Sequence, residues 1–361
     1  MNDHPPTAKP LVFITAFAAA AEGAIQAYHL DLQTGHLEAT RRTGGLEHPF
    51  FLTLSRTGRF LYSTHARTFG GAEPEEVAAF EVIGRTGELR FLNRQSAFGT
   101  AACYLDIDAT GKTVLVANYA SGSVAALPVR EDGSLGPAVS FFQHAATAGA
   151  PTRPGGPHAH CLVVSPDNRF AYAADLGLDQ VRIYRLNAAR AELAAHQPPW
   201  VCTPPGSGPR HLTFHPNGRQ AYVINELGNS ITRFDLDAES GLLHERQTIS
   251  TVPAGFAGKS YCADLKITPD GRFLYGTNRG HDSVAMFRLD DTGHMTLIGI
   301  EPSLGRGPQN LALAPGGELL LCANLPGNSL TVFRIDPQTG RLTPVGAPTA
   351  MPSPSCIMVL A

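Results

Sequence analysis

Apolar residues come in short runs that end in turn sequences, and helical periodicity is weak along the whole chain. Around position 233, Ile231, Arg233 and Asp235 alternate with Thr232, Phe234 and Leu236. A period of two is that of a strand, blurred here by aromatic residues on both faces. Two kinds of turn separate the runs. The first precedes an apolar strand six times, beginning at Thr57 (TGRF), Thr110 (TGKT), Asp167 (DNRF), Asn217 (NGRQ), Asp270 (DGRF) and Gly316 (GGEL). The second follows an aromatic or aliphatic strand seven times, near Gly35, Gly87, Gly133, Arg190, Gly241, Gly293 and Gly340. Glycine suits such tight hairpins because it reaches positive φ with no Cβ to clash.

The middle residues of the first turns are 53, 57, 50, 53 and 46 residues apart. Units of that length with four strand candidates each read as propeller blades. Seven turns of one kind against six of the other fit a closed ring with one unit divided between the chain ends. The chain opens on LVFITAF (from Leu11), GAIQAYHL (from Gly23) and EATRRT (from Glu38), which fill the second, third and fourth strands of a unit. The missing first strand is SCIMVL, from Ser355. The expectation is an all-β, seven-bladed β-propeller with four antiparallel strands per blade and a closing blade shared by the two ends. Residues 1–361 form one domain in this reading, with 1–10 as a flexible N-terminal tail.

Composition narrows the partners. The 37 Gly and 28 Pro punctuate short strands, and 43% of residues are hydrophobic, enough for a core. Net charge is -3, and Lys and Arg form no runs, so neither nucleic acid nor a membrane surface is an expected partner. None of the six cysteines forms a CxxC pair, and four fall in first strands, where buried thiols fit a reducing cytoplasm. The small residues Ala16 to Ala21 resemble the end of a leader peptide, but only Lys9 supplies charge before them and the ring needs LVFITAF as a strand. A retained N-terminus and a cytoplasmic protein are therefore expected. No stretch is long enough to span a bilayer. A closed ring is stable alone and no helical dimer face is evident, so the oligomeric state stays open, with a monomer sufficient.

Propeller geometry decides which residues can meet. First strands line the central channel, and second strands return to the starting face. Residues leading into first strands and residues ending second strands therefore share one channel mouth. The first group supplies His48, His158, His160, Arg210, His211, Asp264, Gln309 and Asn310. The second supplies His65, Asn118, Tyr119, Asp175, Asn225, Glu226, Asn278, Arg279, His281 and Asn324. The recurring Asn118, Asn225, Asn278 and Asn324 read as structural, each holding the turn into a third strand. Residues that break the repeat are better functional candidates. Arg210 and Glu226 admit two readings, a reactive pair or a salt bridge within one blade, and His160 a reactive or a satisfied channel histidine.

The segments from Gly155 (GGPHAHCLVV), Gly208 (GPRHLTFHP, with NEL following), Ala263 (ADLKITPDGRFLYGTNRGHDS) and Gly307 (GPQNLALAP) resemble the seven-bladed lactonase family, which includes the propeller type of 6-phosphogluconolactonase and, more distantly, the carboxy-muconate cyclase. The likeness covers nearly the whole chain. It implies His160, Arg210, Glu226 and Arg279 as catalytic residues, with His158, His211, His281, Gln309 and Asn310 as substrate-binding residues. One departure stands out: the resemblance calls for arginine where Gln309 follows Pro308, and Arg306 is the nearest substitute.

The resemblance implies a small anionic lactone as substrate, most specifically 6-phosphogluconolactone, with no cofactor and no metal. No GxSxG segment offers a serine nucleophile. Direct water attack is then expected, with His160 as base, Glu226 orienting it and the arginines binding the anion. Three alternatives stay open: a carboxy-muconate cyclase on the same residues, a Ca²⁺-dependent lactonase built on Asp175, Asp264, Glu226 and the recurring asparagines, and a non-enzymatic binding scaffold. Three loops, Arg67 to Glu76, Ala145 to Gly156 and Thr251 to Ser260, are expected to rim the mouth.

Overall fold

The computed structural model describes residues 9–146 and 155–361. Residues 1–8 of the expected N-terminal tail and most of the loop before His158 lie outside them, while Pro10 is buried and its carbonyl accepts the Leu30 N–H at 2.9 Å. Seven antiparallel sheets succeed one another along the chain as blades of a propeller. Blades 1 and 2 occupy residues 52–96 and 102–143. Blade 3 comprises Ala159–Val164, Phe170–Asp175, Gln180–Asn187 and Glu192–Cys202. Blade 4 comprises Pro209–Phe214, Gln220–Asn225, Ser230–Leu236 and Leu243–Ser250. Blade 5 comprises Tyr261–Ile267, Phe273–Arg279, Ser283–Leu289 and Met295–Pro302.

Blade 6 departs from the four-strand expectation. Its outer strand is in two pieces, Leu342–Pro344 and Thr349–Ala350, both paired with Ser329–Ile335. Pro344 and Pro348 bring no N–H to the ladder, which explains the break. Blade 7 closes the ring as expected: Pro354–Leu360 pairs with Leu11–Ala16, followed by Ala24–Leu30 and Leu37–Gly44. Thr15 and Ser355 also share a buried hydroxyl hydrogen bond of 2.7 Å.

The core lies in the seams between blades. Phe170, Tyr172 and Val181 of blade 3 pack with Leu212, Val223 and Phe234 of blade 4. Ile224 and Ile231 of blade 4 pack in turn with Leu265 and Phe287 of blade 5. A polar staple repeats across four seams. The hydroxyls of Tyr62, Tyr172, Tyr222 and Tyr275 donate to the carbonyls of Gly133, Gly241, Gly293 and Gly340 in the next blade, at 3.1, 2.7, 2.7 and 2.9 Å. Those outer turns press against the preceding blade. A Cβ on Gly241 would stand 2.6 Å from Phe170, and its φ is +78°. Close approach and positive φ together explain why the second kind of turn keeps its glycine.

The recurring asparagines are structural, as their repetition suggested. Asn118, Asn225, Asn278 and Asn324 each donate from Nδ2 to the serine five residues on, at 3.2, 3.0, 3.1 and 3.4 Å. Blade 3 substitutes Asp175, whose Oδ1 accepts the backbone N–H of His158 at 2.8 Å and whose Oδ2 lies 2.5 Å from His144 Nδ1.

Candidate active site

Each innermost strand of blades 2 to 6 carries a register shift near its start. One extra residue bulges there: Cys103, His160, Arg210 and Gln309 in blades 2, 3, 4 and 6, with the shift of blade 5 spanning Ala263 and Asp264. A bulge re-aims its side chain and breaks strict alternation. Repeated around a ring, it points one residue per blade at the channel mouth. The residue after each recurring Asn supplies a second circle: Tyr119, Glu226, Arg279 and Leu325.

The structure brings His160, Arg210, Glu226 and Arg279 together. Glu226 is the hub. Its Oε2 lies 2.9 Å from Arg210 Nε and 3.9 Å from His160 Nε2, and its Oε1 lies 3.0 Å from Arg279 Nη2. The Arg210 Nε contact lacks hydrogen-bond alignment, so the attraction there is Coulombic. Arg279 is further held by the carbonyl of Cys262 at 3.0 Å and by Gln309 Oε1 at 3.3 Å. The side chain of Arg210 is 2% exposed and that of Arg279 25%, so Arg279 faces solvent.

A second layer fixes Arg210 from below. Its Nη1 donates to the carbonyl of Ala263 at 2.5 Å and to His211 Nε2 at 3.1 Å. Guanidinium only donates, so His211 Nε2 accepts and its proton sits on Nδ1, which donates to Asp264 Oδ1 at 2.9 Å. Asp264 Oδ2 accepts from Lys266 Nζ, Asn310 Nδ2 and the Leu311 N–H at 2.7, 2.8 and 2.9 Å. Burial opposes the charge on Asp264, but Lys266 and His211 outweigh it and hold the carboxyl below its usual range. Burial, then the Arg210 charge, pushes His211 down to about 3. Burial likewise, then Arg210 and His211, holds His160 well below its usual value, so its imidazole is neutral near pH 7.

The expected substrate-binding residues divide. His158 stacks on Tyr119 at 4.6 Å and donates from Nδ1 to the Tyr119 carbonyl at 3.0 Å. Gln309 touches Arg279. His211 and Asn310 belong to the buried layer, Asn310 also accepting the Ile357 N–H at 2.8 Å. His281 turns to Ser283 Oγ at 2.7 Å and stands edge-on to Phe256 at 4.7 Å. Two residues outside the expected set touch the site. The Tyr119 ring stands edge-on to His160 at 5.1 Å, and Cys103 Sγ lies 3.6 Å from His160 Nδ1. Their signal was present: Tyr119 follows an Asn as Glu226 and Arg279 do, and Cys103 holds the repeat position of His160.

The oxygens of Asp175, Asp264 and Glu226 do not converge; each is taken by a different partner set. Among the described residues no cluster of three or more His, Cys, Asp or Glu could hold a metal ion. The loop from Arg67 encloses a cleft of about 560 Å³ with His65, Arg67, Thr68, Glu73 and Glu75, which none of the four site residues lines. Among the described residues no helix is long and apolar enough to cross a membrane.

Comparison with known proteins identifies the family of this fold. Residues 11–359 match the family described as "Lactonase, 7-bladed beta-propeller". A protein of Bacillus subtilis (strain 168) named 6-phosphogluconolactonase is 31% identical over 98% of this chain and 99% of its own. A protein of the same name from Formosa agariphila is 30% identical over 92% of this chain and 94% of its own. The solved structure of a periplasmic gluconolactonase from Pseudomonas aeruginosa superposes with a TM-score of 0.89, at 34% identity, covering 97% of this chain and 99% of that one. The chain belongs to the seven-bladed β-propeller lactonase family and is a lactone hydrolase.

Proposed function

We propose that the substrate is a sugar-acid lactone, most specifically 6-phosphogluconolactone, opened by water at the channel mouth. One observation carries this reading. A single carboxylate, Glu226, sits between Arg210 and Arg279 beside the neutral imidazole of His160. Two cations against one anion leave positive charge for an anionic substrate and for the oxyanion formed on attack. Arg279, open to solvent on one side, suits the substrate's anionic group, and its planar fork favours an oxyanion.

His160 Nε2 takes a proton from the attacking water while the hydroxide oxygen bonds to the lactone carbonyl carbon. The carbonyl oxygen becomes an oxyanion, steadied by guanidinium. Collapse breaks the bond to the ring oxygen, which takes the proton back from imidazolium. Glu226 Oε2, 3.9 Å from Nε2, stabilises that transient imidazolium. Such a base contributes roughly 10²–10⁴ in rate. The names of the relatives support phosphorylated and plain gluconolactone alike. The six free cysteines, five of them buried, support a cytoplasmic setting.

The test is hydrolysis of 6-phosphogluconolactone and of gluconolactone by the purified chain, repeated with His160→Ala and Glu226→Gln. A kcat loss of at least about 100-fold in both is expected. Turnover unchanged in both would refute the assignment, and a clear preference for the plain lactone would remove the phosphate.

A further inference from the structure

We infer that Cys103 is a positioning residue: it fixes the His160 imidazole as the tautomer protonated on Nδ1 and so turns a bare Nε2 towards the site. The inference deepens the proposed function, since it rests on His160 acting as base.

Cys103 and His160 occupy the same bulge position in adjacent blades, so their side chains meet across the seam between blades 2 and 3. Sγ lies 3.6 Å from His160 Nδ1, 3.4 Å from the His160 carbonyl, and 3.8 Å from the carbonyls of Ala159 and Ala117. Sγ is the side-chain hydrogen-bond partner of Nδ1 among the described residues, and the ring is also hydrogen-bonded to its own backbone. A thiol has a single proton to give, and a carbonyl oxygen can only accept. Three carbonyls therefore compete for the S–H, and the nearest is closer than Nδ1. Once the S–H is given to a carbonyl, sulfur meets Nδ1 as an acceptor. The ring proton must then sit on Nδ1.

The opposite arrangement would disable the base. If S–H donated to Nδ1, a proton on Nε2 would face Glu226 Oε2, and the ring could not take one from water. The thiol is not itself a nucleophile, because burial pushes it far above its ordinary range against the pull of Arg210. The logic is that of a base held in one tautomer by a third group. The other groups facing the ring are Tyr119, His211, Arg210, Glu226 and Arg279.

The experiment reads the tautomer directly. Long-range ¹H–¹⁵N correlation spectra of the full chain with ¹⁵N-histidine are recorded at neutral pH, with His160 assigned by its loss in His160→Gln. Wild-type protein should show Nδ1 protonated and Nε2 bare. Cys103→Ala should shift His160 towards the Nε2–H form and lower kcat on the order of ten-fold with KM little changed, a fraction of the roughly 10²–10⁴ lost with a base. Cys103→Ser, whose hydroxyl can also donate to a carbonyl and accept from Nδ1, should restore both. A wild-type His160 protonated on Nε2 overturns the inference, as does an unchanged tautomer and kcat in Cys103→Ala. Should Cys103→Ala fail to fold, the wild-type spectrum alone decides. Wild-type turnover in His160→Gln would instead overturn the proposed role of His160, and the spectrum would still decide the tautomer.

Discussion

Glu226 Oε1 meets Arg279 Nη2 at 3.0 Å across the seam between blades 4 and 5. The contact makes the site's charge balance a property of two blades, since the other carboxylate oxygen faces Arg210 within blade 4. Any loosening of that seam would separate the anion from one of its two cations.

Arg210 serves several partners in different directions: Glu226, the Ala263 carbonyl and His211. A lysine ammonium cannot span them. Arg210→Lys should therefore lose at least about 100-fold in kcat/KM, the scale of one lost oxyanion donor. Denaturant unfolding should show about 1.5–3 kcal/mol of destabilisation for a lost hydrogen bond to a charged group. Lactone hydrolysis and urea titration of the same preparation check both.

Acid should weaken the fold between pH 6.5 and about 4. Burial lowers His65 from 6.5 to about 4 and His211 from 6.5 to about 3, and holds His160 well below 6.5. In that window the unfolded chain binds protons that the folded chain refuses, so stability falls as pH falls. Asp106 opposes this, because burial raises it from 3.8 to about 6, and its contribution falls as pH rises between those values. Three histidines against two carboxyls, Asp106 and Glu75, which burial also raises, predict a net loss on acidification. Thermal melts at pH 7.5, 6 and 4.5 should show Tm descending in that order.

The seam staples should be measurable singly. Tyr172→Phe removes one hydrogen bond, to the Gly241 carbonyl, and should cost about 1 kcal/mol. Gly241→Ala should cost more, about 2–4 kcal/mol, from left-handed backbone strain and contact with Phe170 together. Equal effects in urea unfolding would contradict this account of the turn.

Asn324→Ala separates a structural asparagine from catalysis. Its Nδ2 reaches Ser329 Oγ at 3.4 Å and Thr331 Oγ1 at 3.0 Å, and the next residue is Leu325, not a charged group. Stability should drop by about 1–3 kcal/mol with kcat and KM unchanged. A large kinetic effect would contradict the structural role assigned to Asn324.

The ring was legible because turns report on themselves: unequal turn counts fixed the number of blades, and SCIMVL at Ser355 identified the shared one. The grouping of His160, Arg210, Glu226 and Arg279 followed from repeat position together with the family resemblance. The bulges were not legible, since apolar and aromatic residues on both faces of these strands already blur the alternation that a bulge breaks. That is why His211 and Asn310 looked like mouth residues although both point at Asp264 beneath it. Cys103 escaped because a thiol in a strand reads as ordinary core, and Tyr119, though placed at the mouth, carried no chemical signal that set it apart. The split outer strand of blade 6 depended on proline spacing too local for a repeat argument.

The pairing of Leu11–Ala16 with Pro354–Leu360 also dictates when the molecule can be finished. Thr15 and Ser355 are 340 residues apart, which at about 5–20 residues per second is roughly 17 to 70 s of translation. Throughout that interval the early strand waits at the ribosome with an open hydrogen-bonding edge, the hazard that invites wrong partners. Circle completion has to wait until Pro354–Leu360 has been made, and shielding of the nascent edge, by chaperone or by neighbouring sheets, becomes part of the protein's yield.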